Sequence, residues 1–525
     1  MNKKKLYNKI LIVLGVLLSS LTLFYLSSCT NKNVKENEFN SVADFNKEGV
    51  DIGLQTGSAL ASKADKIWPK ANIRFLSGNA DLLSAINSGK IDAIFHEEMN
   101  AKYLVISNKN LSIIEDNENA LGESEYAFCF QKTKKGEELR NEFNLFLDEY
   151  KASGSYQKLF DYWTDVNLPE DAKVEYESLP NVNGEITFYV EGQYRPFAFV
   201  HYTKLVGLDI ALAKEFCESR GYALNVVSTK FESLIPSLQF GKCDIVADGI
   251  AITDERAESI LFSEPTVRGR NILIVNNNTK TESISIFKEI SDSFYKTFIK
   301  ENRYVLFLRG ILITLVITII SMILGSILGF LFYLLYYNGN IVIEKIFLSL
   351  TYLFKRLPIV VFLMLLFFVV FGKINLDGVV IAIIGFSIIF MSSTFDNIKN
   401  CVNDIDYGQT EAAYALGYNK LKTFFEIIMP QVLPQALISF KGEILGLIKS
   451  TSVVGYVMVN DLTKVGDIVR SRTYEAFFPL IMVAVIYIIL ADILIAIVEI
   501  IEKIASSKIE NKHYKFMGLD TNDRV

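Results

Sequence analysis

The stretch Thr253-Asp254-Glu255-Arg256 places a helix-capping hydroxyl just ahead of a guanidinium in the first helical turn. A guanidinium grips a carboxylate through two parallel hydrogen bonds. His96-Glu97-Glu98 offers an acid for an ammonium group. Thr56-Gly57-Ser58, between a strand and a helix start, offers backbone N–H groups where a helix field favours an anion. Tyr194 in "YRPFAF" and Phe231 in "TKFESLIP" supply aromatic walls. Taken singly these are ordinary features: a cap with a surface charge, a solvated loop, core aromatics. Taken together, an anion clamp, an acid and aromatic walls describe the handling of a free amino acid.

The elements that must bring these residues together show as an internal repeat. Residues 82–98, LLSAINSGKIDAIFHEE, parallel residues 234–250, LIPSLQFGKCDIVADGI: an amphipathic helix, a Gly-Lys turn, an aspartate and a short β-branched strand. Gly89 matches Gly241, Lys90 matches Lys242 and Asp92 matches Asp244. Two similar α/β lobes follow, their strands reading as continuous apolar runs covered by helices on both faces. Ligands in such open sheets bind beyond the carboxyl ends of the strands, which collects His96, Glu97, Asp248 and Gly249 at one site. Cys129, Cys217, Cys243 and Cys401 are scattered and lack metal-ligand spacing, so no metal site is expected; they read as buried free thiols, a disulfide between one pair being the other reading.

The 525 residues are 50% hydrophobic with a net charge of −6, unevenly spread. Residues 30–300 read as a water-soluble α/β protein, whereas 304–505 contains apolar runs longer than the roughly 20 residues that cross a bilayer as a helix. Five membrane segments are expected, at about 304–337, 341–371, 376–395, 432–457 and 474–503. At the N-terminus a basic start, an apolar stretch and small residues before Cys29 form an export-signal layout, so the first span starts outside and the turn after the third faces the cytoplasm. "LSSC" resembles the bacterial lipobox, which implies lipidation of Cys29; an uncleaved helix is the other reading. The cytoplasmic turn, 408–430, is a charged hairpin. Gly417 is placed to end one short helix, Asn419 to cap the next and Pro430 to stop it, while Ala412 and Ala413 let another surface approach. No GxxxxGK[ST] phosphate loop occurs, so the chain does not hydrolyse ATP by that route.

"EGQYRPFAF", "LVGLDIALAKEF", "FESLIPSLQFGKCDIVADGIAITDERAESILFSEP" and "GLQTGS" resemble the polar amino-acid substrate-binding proteins of bacterial ABC importers. The resemblance implies that Arg256 holds the ligand α-carboxylate with help from Gly57 and Ser58, and that Glu97 pairs with the α-ammonium. It further implies that Tyr194 and Phe231 flank the side chain; Gly249, by its strand end, and Thr253, by its cap ahead of Arg256, are expected at the same site. His96 beside Glu97 is similar to the His-Asp pair of glutamine binders. Two departures stand out: Glu97 replaces the usual Asp, and Ala251 a usual Thr or Ser. The family's second lobe here precedes its first, which implies a circular permutation with "TDVNLPEDAKVEYESLPNV" joining the usual ends. One hinge crossing is then expected to be open and only the strand near "SEYAFCF" continuous; two remnant half-domains are the other reading. "GQTEAAYALGYNKLKTFFEIIMP" resembles the EAA motif of importer permeases through Glu411, Ala412, Ala413, Gly417, Ile427 and Pro430. That resemblance implies docking into a cleft of a separate ATPase subunit, which carries the ATP.

The expected fold class is an α/β two-lobed periplasmic-binding-protein-like domain of type II, circularly permuted, followed by an all-α transmembrane permease domain of about five helices. The expected divisions are a signal or lipobox anchor (1–29), a linker (30–47), a leading lobe matching the family's second lobe plus return helices (48–178) and a trailing lobe matching its first (179–279). A connector (280–303), the transmembrane domain (304–505) with its hairpin (408–430) and a cytoplasmic tail (506–525) follow. The expected function is the binding and permease subunit of an ATP-driven importer for a polar amino acid, glutamine favoured, in a bacterial cytoplasmic membrane with the binding domain outside. Expected partners are ABC ATPase subunits, a second permease chain, most simply an identical one, and membrane lipid, with no nucleic acid and no cofactor in this chain. An amino-acid-binding membrane receptor or ligand-gated channel is the alternative, since the fold alone does not settle function.

Overall fold

The computed structural model describes residues 39–516, apart from 40, 170, 278–285, 338, most of 340–355, 373, 375 and 476. The export-signal reading and the lipidation site at Cys29 lie outside the described residues. Two compact units emerge: residues up to Leu306 with Gly466–Val485, and Phe307–Val465 with Ile486 onward. The first unit thus includes a segment from within the stretch expected as transmembrane. Its polar residues explain this: Arg470 pairs with Asp81, Arg472 with Glu301, and the Ser471 hydroxyl donates to the Gln193 carbonyl at 2.9 Å.

The first unit holds two α/β lobes. In the leading lobe the strand order is β2 (Asn72–Leu76), β1 (Asp51–Gln55), β3 (Ala93–Glu97), β14 (Val267–Asn276) and β4 (Leu111–Ile114), with β5 (Glu123–Tyr126) also on β14. β1 is parallel to β2 and β3, with Ile52 opposite Ala93, and every residue of β3 is buried. In the trailing lobe the order is β11 (Ala223–Ser228), β7 (Glu185–Val190), β12 (Ile245–Val246), β6 (Cys129–Gln131) and β13 (Ile260–Phe262). A small antiparallel sheet of β8 (Gln193–Tyr194), β9 (Ala198–His201) and β10 (Lys204–Val206) extends it toward the cleft. The helix Lys134–Ala152, capped by Thr133, presents Leu139, Phe143, Phe146 and Leu147 at helical spacing to a core that includes Phe128, Phe130, Phe188 and Phe216. Each such buried phenylalanine contributes about 2–3 kcal/mol.

The connectivity corrects one expectation. Both hinge crossings are continuous: β5 runs into β6 through Ala127 and Phe128, and β13 runs into β14 through Ser263 to Thr266. They lie side by side, with Ser263 N–H donating to the Phe128 carbonyl (2.9 Å) and Thr266 N–H to the Tyr126 carbonyl (2.8 Å). The chain enters and leaves through the leading lobe, so the opening created by permutation falls inside that lobe rather than at a hinge. Residues 267–276, expected in the trailing lobe, are a central strand of the leading sheet. β6 and the helices after it belong to the trailing lobe. Each sheet therefore needs strands from both halves of the sequence, and the arrangement is one domain rather than two remnants.

The described residues include four helices long and apolar enough to cross a membrane: Tyr304–Tyr337, Gly378–Asn403, Lys420–Val457 and Phe478–Ile504. The expected second span, 341–371, is described mainly at Ile359–Val370, which is shorter. Gly325 and Gly329 lie so close to Phe390, Met391 and Thr394 that a Cβ would collide, the small-residue packing expected between membrane helices.

Candidate ligand-binding site

The carboxyl end of β3 delivers Glu97 into the cleft between the lobes, where burial would leave a lone carboxylate strongly disfavoured. His96 Nδ1 stands 3.0 Å from Glu97 Oε2, and the Tyr194 hydroxyl donates to the same oxygen at 2.7 Å. Burial pushes the Glu97 carboxyl up; hydrogen bonding and charge from His96, with the Tyr194 hydroxyl, pull it down by more, so it sits below the usual carboxylate range. Burial, with the Glu97 charge next, holds the Tyr194 phenol well above its ordinary value, so it remains a donor. Tyr194 also stacks against His96 and Phe197.

From the trailing lobe, Thr253 caps the short helix Asp254–Ala257 by accepting from Arg256 N–H at 3.2 Å. This fixes where the Arg256 side chain leaves the backbone. Its guanidinium donates to the Ala251 carbonyl (2.8 Å) and, across the cleft, to the Gly57 carbonyl (3.0 Å). Burial lowers its pKa from the ordinary value, while Cys129 and then Glu97 act in the opposite sense, so the acid and the guanidinium share one field. Ala251 serves through its carbonyl.

The turn after β1 departs from the expectation of three free amides. Thr56 N–H goes to Leu76 O (2.8 Å) and Ser58 N–H to Gln55 O (3.1 Å), leaving, among the described contacts, Gly57 N–H for a ligand. The Ser58 hydroxyl accepts from Leu60 N–H, and the helix proper begins only at Ala61. Gly57 has φ +78°, and a Cβ there would meet the Phe231 ring at 3.6 Å, so Phe231 walls the cleft opposite the turn. Gly249 also departs: its N–H donates to Asp209 Oδ2 at 3.0 Å, and Phe197 packs against it. Asp248 turns inward, accepting from Glu191 and Gly192 N–H at 2.6 and 3.2 Å.

The structure therefore brings Arg256, Gly57, Glu97, His96, Tyr194 and Phe231 together and gives Ser58, Gly249 and Thr253 supporting roles. It adds three residues that carried no motif. Asn79, opening the helix Asn79–Asn87, and Asn100, on the helix Glu98–Ser107, are buried behind His96. Lys63 reaches the Glu123 carbonyl and feels the charge of Glu97. His96 lies at the end of β3 and Asn100 on the helix that follows, so no single periodicity in the sequence relates the two.

In the second unit, the hairpin begins with the helix Tyr407–Ala415, capped by the Asp406 carboxylate on Gly408 N–H (2.8 Å). Glu411 and Ala412 are exposed and Ala413 is buried. Gly417, at φ +84°, ends the helix, and Asn419 caps the next by accepting from Lys422 N–H at 2.8 Å. Pro430 corrects the expectation: the helix does not stop there but continues as Met429–Ser450. A π turn over Phe424–Ile428, with Met429 N–H bonded to Phe424 O, absorbs the donor that proline lacks. Phe424 and Ile428 pack with Tyr333, Phe395 and Ile398, so the hairpin is tied to the ends of two long helices.

The family model described as bacterial extracellular solute-binding proteins, family 3, matches residues 186–454. The chain is similar to a probable histidine-binding protein of Campylobacter jejuni subsp. jejuni, 32% identical over 117 residues, 22% of this chain and 46% of that protein. It is also similar to the putative glutamine transport system permease protein GlnP of Rickettsia typhi, 32% identical over 168 residues, 32% of this chain and 77% of that protein. The arginine ABC transporter permease protein ArtQ of Haemophilus influenzae is 32% identical over 106 residues, 20% of this chain and 48% of its own length. The chain thus spans about half the length of the histidine-binding and arginine-permease relatives. A solved structure described as an amino acid ABC transporter with histidines matches at 22% identity and a TM-score of 0.36, covering 42% of this chain and 99% of that one.

Proposed function

The chain belongs to the family-3 bacterial extracellular solute-binding proteins, as a polar amino-acid ABC importer permease fused to its binding domain, and from that premise we propose that it captures glutamine outside the cytoplasmic membrane and imports it. The observation that carries this reading is the joint presence of Glu97 and Arg256 in one cleft, the Glu97 charge acting on Arg256, with the Gly57 carbonyl accepting from the guanidinium. A zwitterion replaces the contacts they make without it: its ammonium takes the place of the Tyr194 hydroxyl on Glu97, and its carboxylate takes Arg256 from the two carbonyls. The ligand-driven exchange closes the lobes as a hinged pair. The exposed hairpin of Glu411, Ala412 and Gly417 then couples the helical unit to separate ATPase subunits, and a second, identical permease chain completes the path. The relatives' names spread over glutamine, arginine and histidine; His96 beside Glu97 and the aromatic walls favour glutamine.

The test is calorimetry on the full chain in detergent with each common amino acid. Glutamine is expected to bind, and Arg256→Ala to weaken binding by about 100-fold or more, because the ligand carboxylate loses a charged partner in a desolvated site. A folded Arg256→Ala protein with native affinity would place the carboxylate elsewhere.

A further inference from the structure

A backbone carbonyl can only accept a hydrogen bond, and one such group orients a buried chain behind the ligand site. Asn100 Nδ2 donates to the Arg195 carbonyl at 2.6 Å, so Asn100 Oδ1 is the atom that faces Asn79. Asn79 Nδ2 therefore donates to it at 2.7 Å, which turns Asn79 Oδ1 toward His96 Nε2 at 2.8 Å. An acceptor there requires a proton on Nε2. On the other side of the ring, Nδ1 faces Glu97 Oε2 at 3.0 Å and the Glu97 carbonyl at 3.3 Å, both acceptors. One proton must lie between Nδ1 and the carboxylate, whichever atom holds it, so His96 and Glu97 together carry no net charge.

We infer that Asn79 and Asn100 are positioning residues that neutralise the His96–Glu97 pair and thereby select amino acids without a positively charged side chain. The remaining charges follow directly. Arg256 and Lys63 are cationic, and Lys63 is near enough to sense Glu97. Asp209 and Asp248 each accept backbone amides through one oxygen, and burial pushes both carboxyls up toward the neutral form; Glu255, acting on Arg256, is exposed and Glu191, acting on Asp248, is part-exposed, so solvent screens both. A bound zwitterion adds no net charge, so the occupied cleft stays positive. A second cation on the ligand is repelled in a desolvated site, whereas an uncharged polar side chain is accepted. Without the two asparagines Nε2 loses its acceptor, the His96–Glu97 pair is no longer held neutral and the discrimination falls. This inference rests on the amino-acid import reading and narrows its substrate.

The test uses the full chain in detergent, titrated with all twenty amino acids, alongside 15N-histidine spectra; the three histidines, His96, His201 and His513, are assigned by substitution. The native protein is expected to bind an uncharged polar amino acid about 100-fold or more tightly than arginine or lysine, and His96 Nε2 to carry a proton. Asn79→Leu is expected to narrow that ratio about 10-fold and to remove the Nε2–H signature. Should Asn79→Leu fail to fold, Asn100→Ala, which frees the Asn79 amide to turn, must narrow the ratio in the same way. Arginine or lysine binding as tightly as glutamine, an unprotonated Nε2 in the native protein, or an unchanged ratio in a folded variant overturns the inference and leaves amino-acid import standing. A folded native chain that binds none of the twenty overturns both.

Discussion

Asp209 shows how far a single carboxyl in this domain departs from solution behaviour. It is buried at the start of the helix Leu208–Arg220, and burial raises its pKa to about 7 despite the hydrogen bond from Gly249 N–H. The folded-state value exceeds the unfolded one, so this group's contribution to stability is full below pH 4 and is lost as pH rises to about 7. The first unit is expected to lose on the order of 4 kcal/mol over that window from this group, and Asp209→Asn to remove that part of the dependence. Fluorescence melts report this cleanly, because both tryptophans, Trp68 and Trp163, lie in the first unit. A melting temperature with the same pH slope in Asp209→Asn would assign the effect elsewhere. Glu97 has the opposite sign: its folded value is lowered, so its contribution is full above the unfolded value and is lost as the pH falls to its own depressed pKa. At this scale the placement of Glu97 and Arg256 in one cleft was legible in the sequence because charge type, a strand end for Glu97 and a capped helix start for Arg256 carry the information. Asn79 and Asn100 were not, because their role lies in which atom faces which, and that is set by a carbonyl 95 residues from Asn100.

The hairpin of the second unit turns on two residues that act through the backbone. Gly417 holds φ +84° with no atom within 4 Å of a would-be Cβ, so substitution there meets conformational strain and no collision. Gly417→Val is expected to cost about 1–2 kcal/mol locally, while Gly417→Asn, which tolerates the left-handed region, costs less. Amino-acid binding should stay native in both, whereas ligand-stimulated ATP hydrolysis by the assembled importer should fall in Gly417→Val and in Glu411→Ala. Equal ATPase stimulation in all three variants would remove the hairpin from coupling. Gly417 and Asn419 were readable because a helix end and a helix cap are local events. Pro430 was misread because a proline breaks a helix only when no neighbouring turn can take up the missing hydrogen bond; here the π turn before it does so.

Over the whole first unit, the interleaved sheets are expected to hold together without the covalent link at residues 178–184. β6 pairs with β12 and β13, while β14 pairs with β3, β4 and β5, so each half of the chain supplies strands to the other's sheet. A protease site introduced at the exposed Val182 and cut after folding should leave both pieces associated, with amino-acid affinity within about threefold of the intact chain. Dissociation of the pieces in native buffer would contradict the pairing. By itself the sequence determined the class: two α/β lobes from a repeated helix-turn-strand pattern, membrane helices from runs longer than a bilayer, and a ligand type from charges at strand ends. These are short-range signals, written within tens of residues. Only the tertiary structure decided that both hinges are continuous, that β14 crosses back into the leading sheet, and that Gly249 and Ser58 spend their amides on the protein itself. Those outcomes depend on strand partners and hydrogen-bond acceptors chosen from distant parts of the chain, where no local pattern records the choice.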